Sequence, residues 1–181
     1  MKRLFLSVFM LLVAFATFAQ SRPKLIVGIV VDQMRWDYLH RYYNLYCEGG
    51  FKRLMNEGFD CENTMINYIP AITAVGHTSI YTGAVPSIHG IQANNFLLNG
   101  KMTYCTADST VSGVGTDSKA GQMSPRNMLT TTIGDELKVA TNFKSRVFGV
   151  SIKDRAAILH AGHAADAAYW IDSKQSKFIT S

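Results

Sequence analysis

Long runs of apolar residues alternate with short polar breaks along most of this chain. Lys24 to Val31 (KLIVGIVV) is a continuous β-branched run that stops at Asp32, the pattern of a central parallel strand buried on both faces. Gln33 to Tyr46 reads as a turn entering a helix, with Trp36, Leu39, Tyr43 and Tyr46 as a core stripe. Gly49-Gly50 breaks it. Phe51 to Glu57 (FKRLMNE) is amphipathic and ends at Gly58, which predicts a short helix, and residues 60–68 return extended. The stretch from Tyr68 to Asn95 is dense in hydroxyls and glycine, yet apolar. Within it Thr73 precedes a pattern compatible with a helix through Ala74 to Tyr81, ended by Gly83. Residues 94–121 are loop-like, with Asn99-Gly100 a hairpin turn. Ser124-Pro125 signals a helix running to about Val139, with Met128, Leu129, Ile133 and Leu137 on its inner face. Arg146 to Ile152 (RVFGVSI), Ala164 to Trp170 and Lys177 to Thr180 complete the extended segments. Strands and helices in alternation predict an α/β fold around a largely parallel sheet.

Met1 to Gln20 departs from that pattern. Lys2 and Arg3 precede an apolar run from Leu4 to Phe18, and Thr17 and Ala19 supply small residues ahead of a cleavage point. Residues 1–19 therefore read as a secretory signal, which predicts a periplasmic or secreted protein without a stable membrane anchor. The remainder, residues 20–181, is about one domain, and 48% hydrophobic against 17% charged residues makes it globular. Without Lys2 and Arg3 the formal charge falls from +5 to +3. Basic residues form no run interleaved with aromatics, so nucleic acid is not an expected partner. Three cysteines, Cys47, Cys61 and Cys105, stand in a disulfide-permissive compartment; one bridge and one free thiol fit that number.

Chemistry enters at the ends of these elements. Asp32 closes the first strand, on the sheet edge where open α/β folds bind ligands; a turn cap or a pair with Arg35 is the structural alternative. Thr73 opens a helix, where free N–H groups favour an anion, although a threonine there also serves as a plain N-cap. Lys153-x-Arg155 follows the RVFGVSI strand. If the strand continues, this spacing puts a point charge and a planar fork on one face, suited to phosphate oxygens; a solvated strand end is the alternative. Only together do these residues suggest phosphoryl transfer.

The runs KLIVGIVVDQMRWDYL, INYIPAITAVGHTSIYTGAVPSIHGI, SPRN and SIKDRAAI, in this order and spacing, resemble the secreted alkaline phosphatases of the phosphate-irrepressible type. These belong to the alkaline phosphatase superfamily, beside the nucleotide pyrophosphatase/phosphodiesterases. The resemblance covers essentially the whole mature chain. It implies a two-zinc hydrolase of small-molecule phosphate monoesters, with Thr73 as nucleophile and a phosphothreonine intermediate. It further implies Asp32 as a zinc ligand, Asn94 as a phosphate contact, and Lys153 and Arg155 as the pair that favours a monoester dianion. His77, His89, His160 and His163 match no ligand position.

The family's remaining zinc ligands, from Asp-x-x-x-His, Asp-His and a distal histidine, have no counterpart here, because Asp166 and Asp172 lack a histidine at the required spacing. The chain also stops in the apparent strand FITS. Both features predict the amino-terminal part of a larger catalytic domain, inactive and poorly stable alone. Two other functions fit the residues: a phosphodiesterase or nucleotide pyrophosphatase of the same superfamily, and a short protein that binds phosphate without catalysis.

Overall fold

The computed structural model describes residues 23–181. The expected signal segment, residues 1–19, lies outside them. The chain divides into two units, residues 1–31 and 32–181.

In the first unit the described residues form no strand, which corrects the expectation of a buried strand at Lys24 to Val31. Leu25, Ile26, Val27 and Ile29 are each at least 67% exposed. A buried strand needs hydrogen-bonded neighbours at its edges, and among the described residues this segment has none.

In the second unit, α1 (Tyr38–Arg41) and a 3-10 turn (Tyr43–Leu45) replace the longer helix expected over 33–46. No residue of the aromatic stripe is buried, and Trp36 lies open to solvent, so the stripe is not core. Helix α2 spans Phe51–Glu57 as its amphipathic pattern predicts, with Gly58 donating back to the Leu54 carbonyl. Helix α3 (Thr73–Thr82) stops at Gly83, whose left-handed φ of 64° a residue with a Cβ adopts reluctantly. The short α4 (Pro86–His89) follows. Strands β1 (Asn95–Leu98) and β2 (Lys101–Tyr104) pair antiparallel. Their turn has positive φ at both Asn99 and Gly100, as a two-residue hairpin of this sequence requires.

Helix α5 (Ile133–Ala140) starts eight residues after Pro125. Ser124-Pro125 opens a single turn instead, in which the Ser124 hydroxyl accepts from the Arg126 N–H at 3.2 Å while donating to Asp108 at 2.6 Å. The real start is a capping box. Thr132 accepts from the Asp135 N–H, and the Asp135 carboxylate accepts from the Thr132 N–H. Its buried face carries Gly134, Asp135 and Lys138, while Ile133 is exposed. Lys138 tolerates burial by pairing with Asp166 at 2.6 Å.

Strand β3 (Phe148–Val150) lies parallel to β4 (Ala167–Asp172), and β5 (Lys177–Ile179) adds antiparallel to the other edge of β4. The fold is α/β, with a single parallel pair among the described strands. Between β3 and β4 runs α6 (Asp154–Ala161), a helix the pattern of apolar residues did not reveal. It packs on β3 and β4 with one side and on α3 with another. Two clusters fix these contacts. Ala74, Ile91, Phe96, Cys105, Met128 and Leu159 join α3 and the hairpin to α6. Ala157, Ile158, Trp170 and Ile179 join α6 to the sheet. All three cysteines are free, Cys105 buried and the others exposed, so the expected bridge is not present.

Candidate active site

Helix α3 packs against α6, and each carries candidate residues at its amino end. Thr73 is the first residue of α3, and its N-cap is Ile72, which has no capping side chain. The Thr73 hydroxyl does not cap the helix. It donates to Asp32 Oδ2 at 3.1 Å, across 41 residues of sequence. The cap alternative is thereby excluded, and so is an Asp32–Arg35 pair, because Arg35 binds Asp37 at 2.9 Å. The unpartnered donors of the helix's first turn are partly met by Asn94, whose Oδ1 accepts from the Ala74 N–H at 3.1 Å. That bond commits the oxygen of the amide and leaves its NH₂ group to face elsewhere.

Lys153 and Arg155 do not continue a strand. Lys153 is the N-cap residue of α6 and Arg155 its second helical position. Lys153 is exposed and forms no ion pair among the described residues. Arg155 Nη1 donates to the Tyr104 hydroxyl at 2.9 Å. The Tyr104 hydroxyl donates in turn to Asp154 Oδ1 at 3.0 Å, and Thr106 Oγ1 donates to Asp154 Oδ2 at 2.5 Å. Burial and the Asp154 charge push the Tyr104 hydroxyl up to about 12, so it keeps its proton through neutral and moderately alkaline solution.

One residue feels all the candidate charges. His77 lies one turn below Thr73 on the same face of α3 and is 5% exposed. Burial lowers its pKa, the Asp32 carboxylate opposes that shift, and Arg155 and Lys153 reinforce it. His77 also meets His160 of α6 edge to face, and His160 stacks on Tyr81 at 4.2 Å between ring centres. His89 is a core residue. Its Nδ1 accepts from the Ile91 N–H, which leaves the proton on Nε2 to be shared with Ser79 at 2.9 Å.

Thr73, Asp32 and Asn94 thus meet around one helix end, and Lys153 and Arg155 stand at the start of the helix packed against it. Tyr104, Asp154 and Thr106 were not legible as site residues. The only hint was the position of Asp154 between two cations. Among the described residues no three histidine, cysteine, aspartate or glutamate side chains group to hold a metal. Asp32 offers one carboxylate where a catalytic zinc takes about three protein ligands, so these residues do not by themselves make a zinc site. No helix among them is long and apolar enough to cross a membrane.

A family model described as type I phosphodiesterase / nucleotide pyrophosphatase matches residues 26–181. The chain belongs to that family. Proteins similar to it include one named calcium-transporting ATPase from Myroides odoratus, 59% identical over 89% of this chain and 30% of its own length. Alkaline phosphatase PafA from Elizabethkingia meningoseptica is also 59% identical, over 91% of this chain and 31% of its own. The crystal structure of wild-type alkaline phosphatase PafA superposes with a TM-score of 0.86 at 58% identity, covering 89% of this chain and 32% of that one. The chain therefore spans about a third of the length of the relatives it matches, and its fold is that of alkaline phosphatase PafA over this span.

Proposed function

We propose that the full-length protein hydrolyses phosphate monoesters, with Thr73 as nucleophile. The observation that carries this is the Thr73 hydroxyl held against Asp32 at 3.1 Å at a helix amino end. In the proposed reaction the Thr73 oxygen bonds to phosphorus in line with the ester oxygen, the P–O ester bond breaks and the alcohol departs. Water then attacks the phosphothreonine, freeing phosphate and restoring the threonine. Asn94, Lys153 and Arg155 bind the phosphoryl oxygens. Two cations at that position favour a monoester dianion over a diester, which carries less charge.

The cofactor in this reading is zinc, two ions in the full-length protein, for which Asp32 would be one ligand. The others must come from outside the described residues, so the 181-residue chain alone is expected to be inactive. The reading also makes residues 1–19 a cleaved signal and residues 20–181 the amino-terminal part of a periplasmic or secreted catalytic domain. Nucleic acid is not a partner in it. Support for the monoester reaction comes from the similarity to alkaline phosphatases. The description of the matched family favours the second reading, a phosphodiesterase or nucleotide pyrophosphatase.

Rates on p-nitrophenyl phosphate and bis-p-nitrophenyl phosphate separate the two. The full-length protein should prefer the monoester, and Thr73→Ala should lower its kcat at least about a thousandfold with the fold intact. A diester preference with Lys153 and Arg155 in place would overturn the monoester assignment. Turnover by the 181-residue chain with added zinc, abolished by Thr73→Ala, would overturn the inactivity of that chain.

A further inference from the structure

Lys153-Asp154-Arg155 alternates positive, negative, positive, and the elementary expectation is that the carboxylate neutralises a neighbouring cation. It does not. Among the described residues Asp154 forms no ion pair with Lys153 or Arg155. Its two oxygens are taken by hydroxyls at the end of the β1–β2 hairpin, Tyr104 on Oδ1 at 3.0 Å and Thr106 on Oδ2 at 2.5 Å. Tyr104 meets Arg155 with the same oxygen that it turns toward Asp154. A phenol has one proton, and a guanidinium can only donate, so the order is fixed: Arg155 donates to Tyr104 and Tyr104 donates to Asp154. A neutral group thus stands between the cation and the nearest carboxylate.

We propose that Tyr104 is a positioning residue that fixes the Arg155 guanidinium while preventing Asp154 from pairing with it, so that its full charge stays available for the phosphoryl group. The proposal rests on the reading of Arg155 as a phosphate contact. A carboxylate and a phosphate compete for the same fork of N–H donors, and a direct Arg–carboxylate pair is the stronger rival to substrate. Thr106, fully buried, holds the second oxygen of Asp154 and limits its rotation toward Arg155. The raised pKa of Tyr104 agrees with this arrangement, since a phenolate would lose the proton that it gives to Asp154.

Removing the hydroxyl should release Asp154 onto Arg155, and removing the charge of Asp154 should undo the damage. In the full-length protein Tyr104→Phe is expected to lower kcat/KM for p-nitrophenyl phosphate about tenfold or more. It should weaken inhibition by inorganic phosphate to a similar degree, with thermal stability little changed. Asp154→Asn in the Tyr104→Phe background should recover at least about a third of that loss on a logarithmic scale. A double variant no better than Tyr104→Phe would overturn the proposal. So would an undiminished effect of Tyr104→Phe in an Arg155→Ala background, because Tyr104 would then act independently of the guanidinium. If Arg155→Ala alone leaves both kcat/KM and phosphate inhibition unchanged, the reading of Arg155 itself fails, and that result is separate from either outcome at Tyr104.

Discussion

The side-chain oxygen of Asn94 accepts the backbone N–H of Ala74 at 3.1 Å, so the residue assigned to phosphate also finishes the helix that carries Thr73. The two roles belong to different atoms of one amide and can be separated. Asn94→Ala removes both. It should cost about 1 kcal/mol of stability, as loss of a helix cap does, together with phosphate affinity. Asn94→Asp keeps an acceptor for the Ala74 N–H but replaces the NH₂ donor with a negative charge. It should unfold within about 0.5 kcal/mol of the parent while losing activity at least as severely as the alanine variant. Urea denaturation beside steady-state kinetics reads both quantities. Equal stability losses in the two variants would show that the Ala74 bond contributes little.

Position 149 reports how tightly the second cationic element is seated. Gly149 of β3 faces α6, and a Cβ built there collides with the Ala157 carbonyl and crowds the Ala161 side chain at 2.9 Å. Neither backbone can yield without moving the helix whose first turn holds Lys153 and Arg155. Gly149→Ala should therefore cost about 2–3 kcal/mol in chemical denaturation, the usual range for overpacking. Phosphate inhibition should weaken with it, although the residue touches no part of the site. A destabilised variant with unaltered phosphate binding would show that α6 tilts about its amino end instead of shifting.

Sequence reasoning succeeded where a signal is complete within a few residues. FKRLMNE followed by glycine, Asn99-Gly100, and the stretch from Ala74 to Tyr81 ended by Gly83 each form the element their residues predict, the last extended by Thr73 and Thr82. It failed where the outcome depends on a distant partner. The run at 24–31 has strand composition but no hydrogen-bonded neighbour among the described residues, and the stripe from Trp36 to Tyr46 has helical spacing but leaves Trp36 exposed and Leu39, Tyr43 and Tyr46 only half-buried. Ser124-Pro125 looks like a helix start and caps one turn, but the helix itself begins at the Thr132 capping box, eight residues on from Ser124. Helix α6 was hidden because SIKDRAAI reads as the tail of a strand. Of the candidate residues, Thr73, Asp32 and Asn94 lie around one helix end. The Tyr104–Asp154 link to Arg155 spans about 50 residues of chain and leaves no local signature.

Alkaline solution should loosen the junction of the hairpin and α6. Burial, the larger cause, and the Asp154 charge raise Cys105 from 9.0 to about 12 and Tyr104 from 10.0 to about 12. Both groups are neutral when protonated, so the unfolded chain releases these protons first as pH rises. Stability is full below pH 9 and falls between pH 9 and pH 12. Cys105 alone accounts for about 4 kcal/mol over that window. Denaturation midpoints measured from pH 8 to pH 11 should decline, and Cys105→Ala should flatten the decline while costing about 1–2 kcal/mol at pH 7. An unchanged slope in that variant would mean that Cys105 does not titrate with unfolding.

Acid acts on the other side of α3. His160 Nε2 is buried without a hydrogen-bond partner, and burial followed by the proximity of His77 holds its pKa down to about 3. The unfolded chain takes up a proton near the ordinary 6.5, so at lower pH it binds more protons than the native chain. Stability contributed by neutral His160 is therefore intact above pH 6.5 and is lost as the pH falls toward 3. His77, lowered in the same direction chiefly by burial, adds to the loss. Replacing His160 with phenylalanine keeps a ring against Tyr81 and His77 but removes the unsatisfied nitrogen. His160→Phe should be as stable as the parent at pH 7, or more stable by about 1–2 kcal/mol. It should lose about 3 kcal/mol less between pH 7 and pH 4. Urea midpoints across that range decide the matter: parallel curves for parent and variant would place the acid sensitivity elsewhere, whereas a flatter curve for the variant assigns it to the α3–α6 contact behind Thr73.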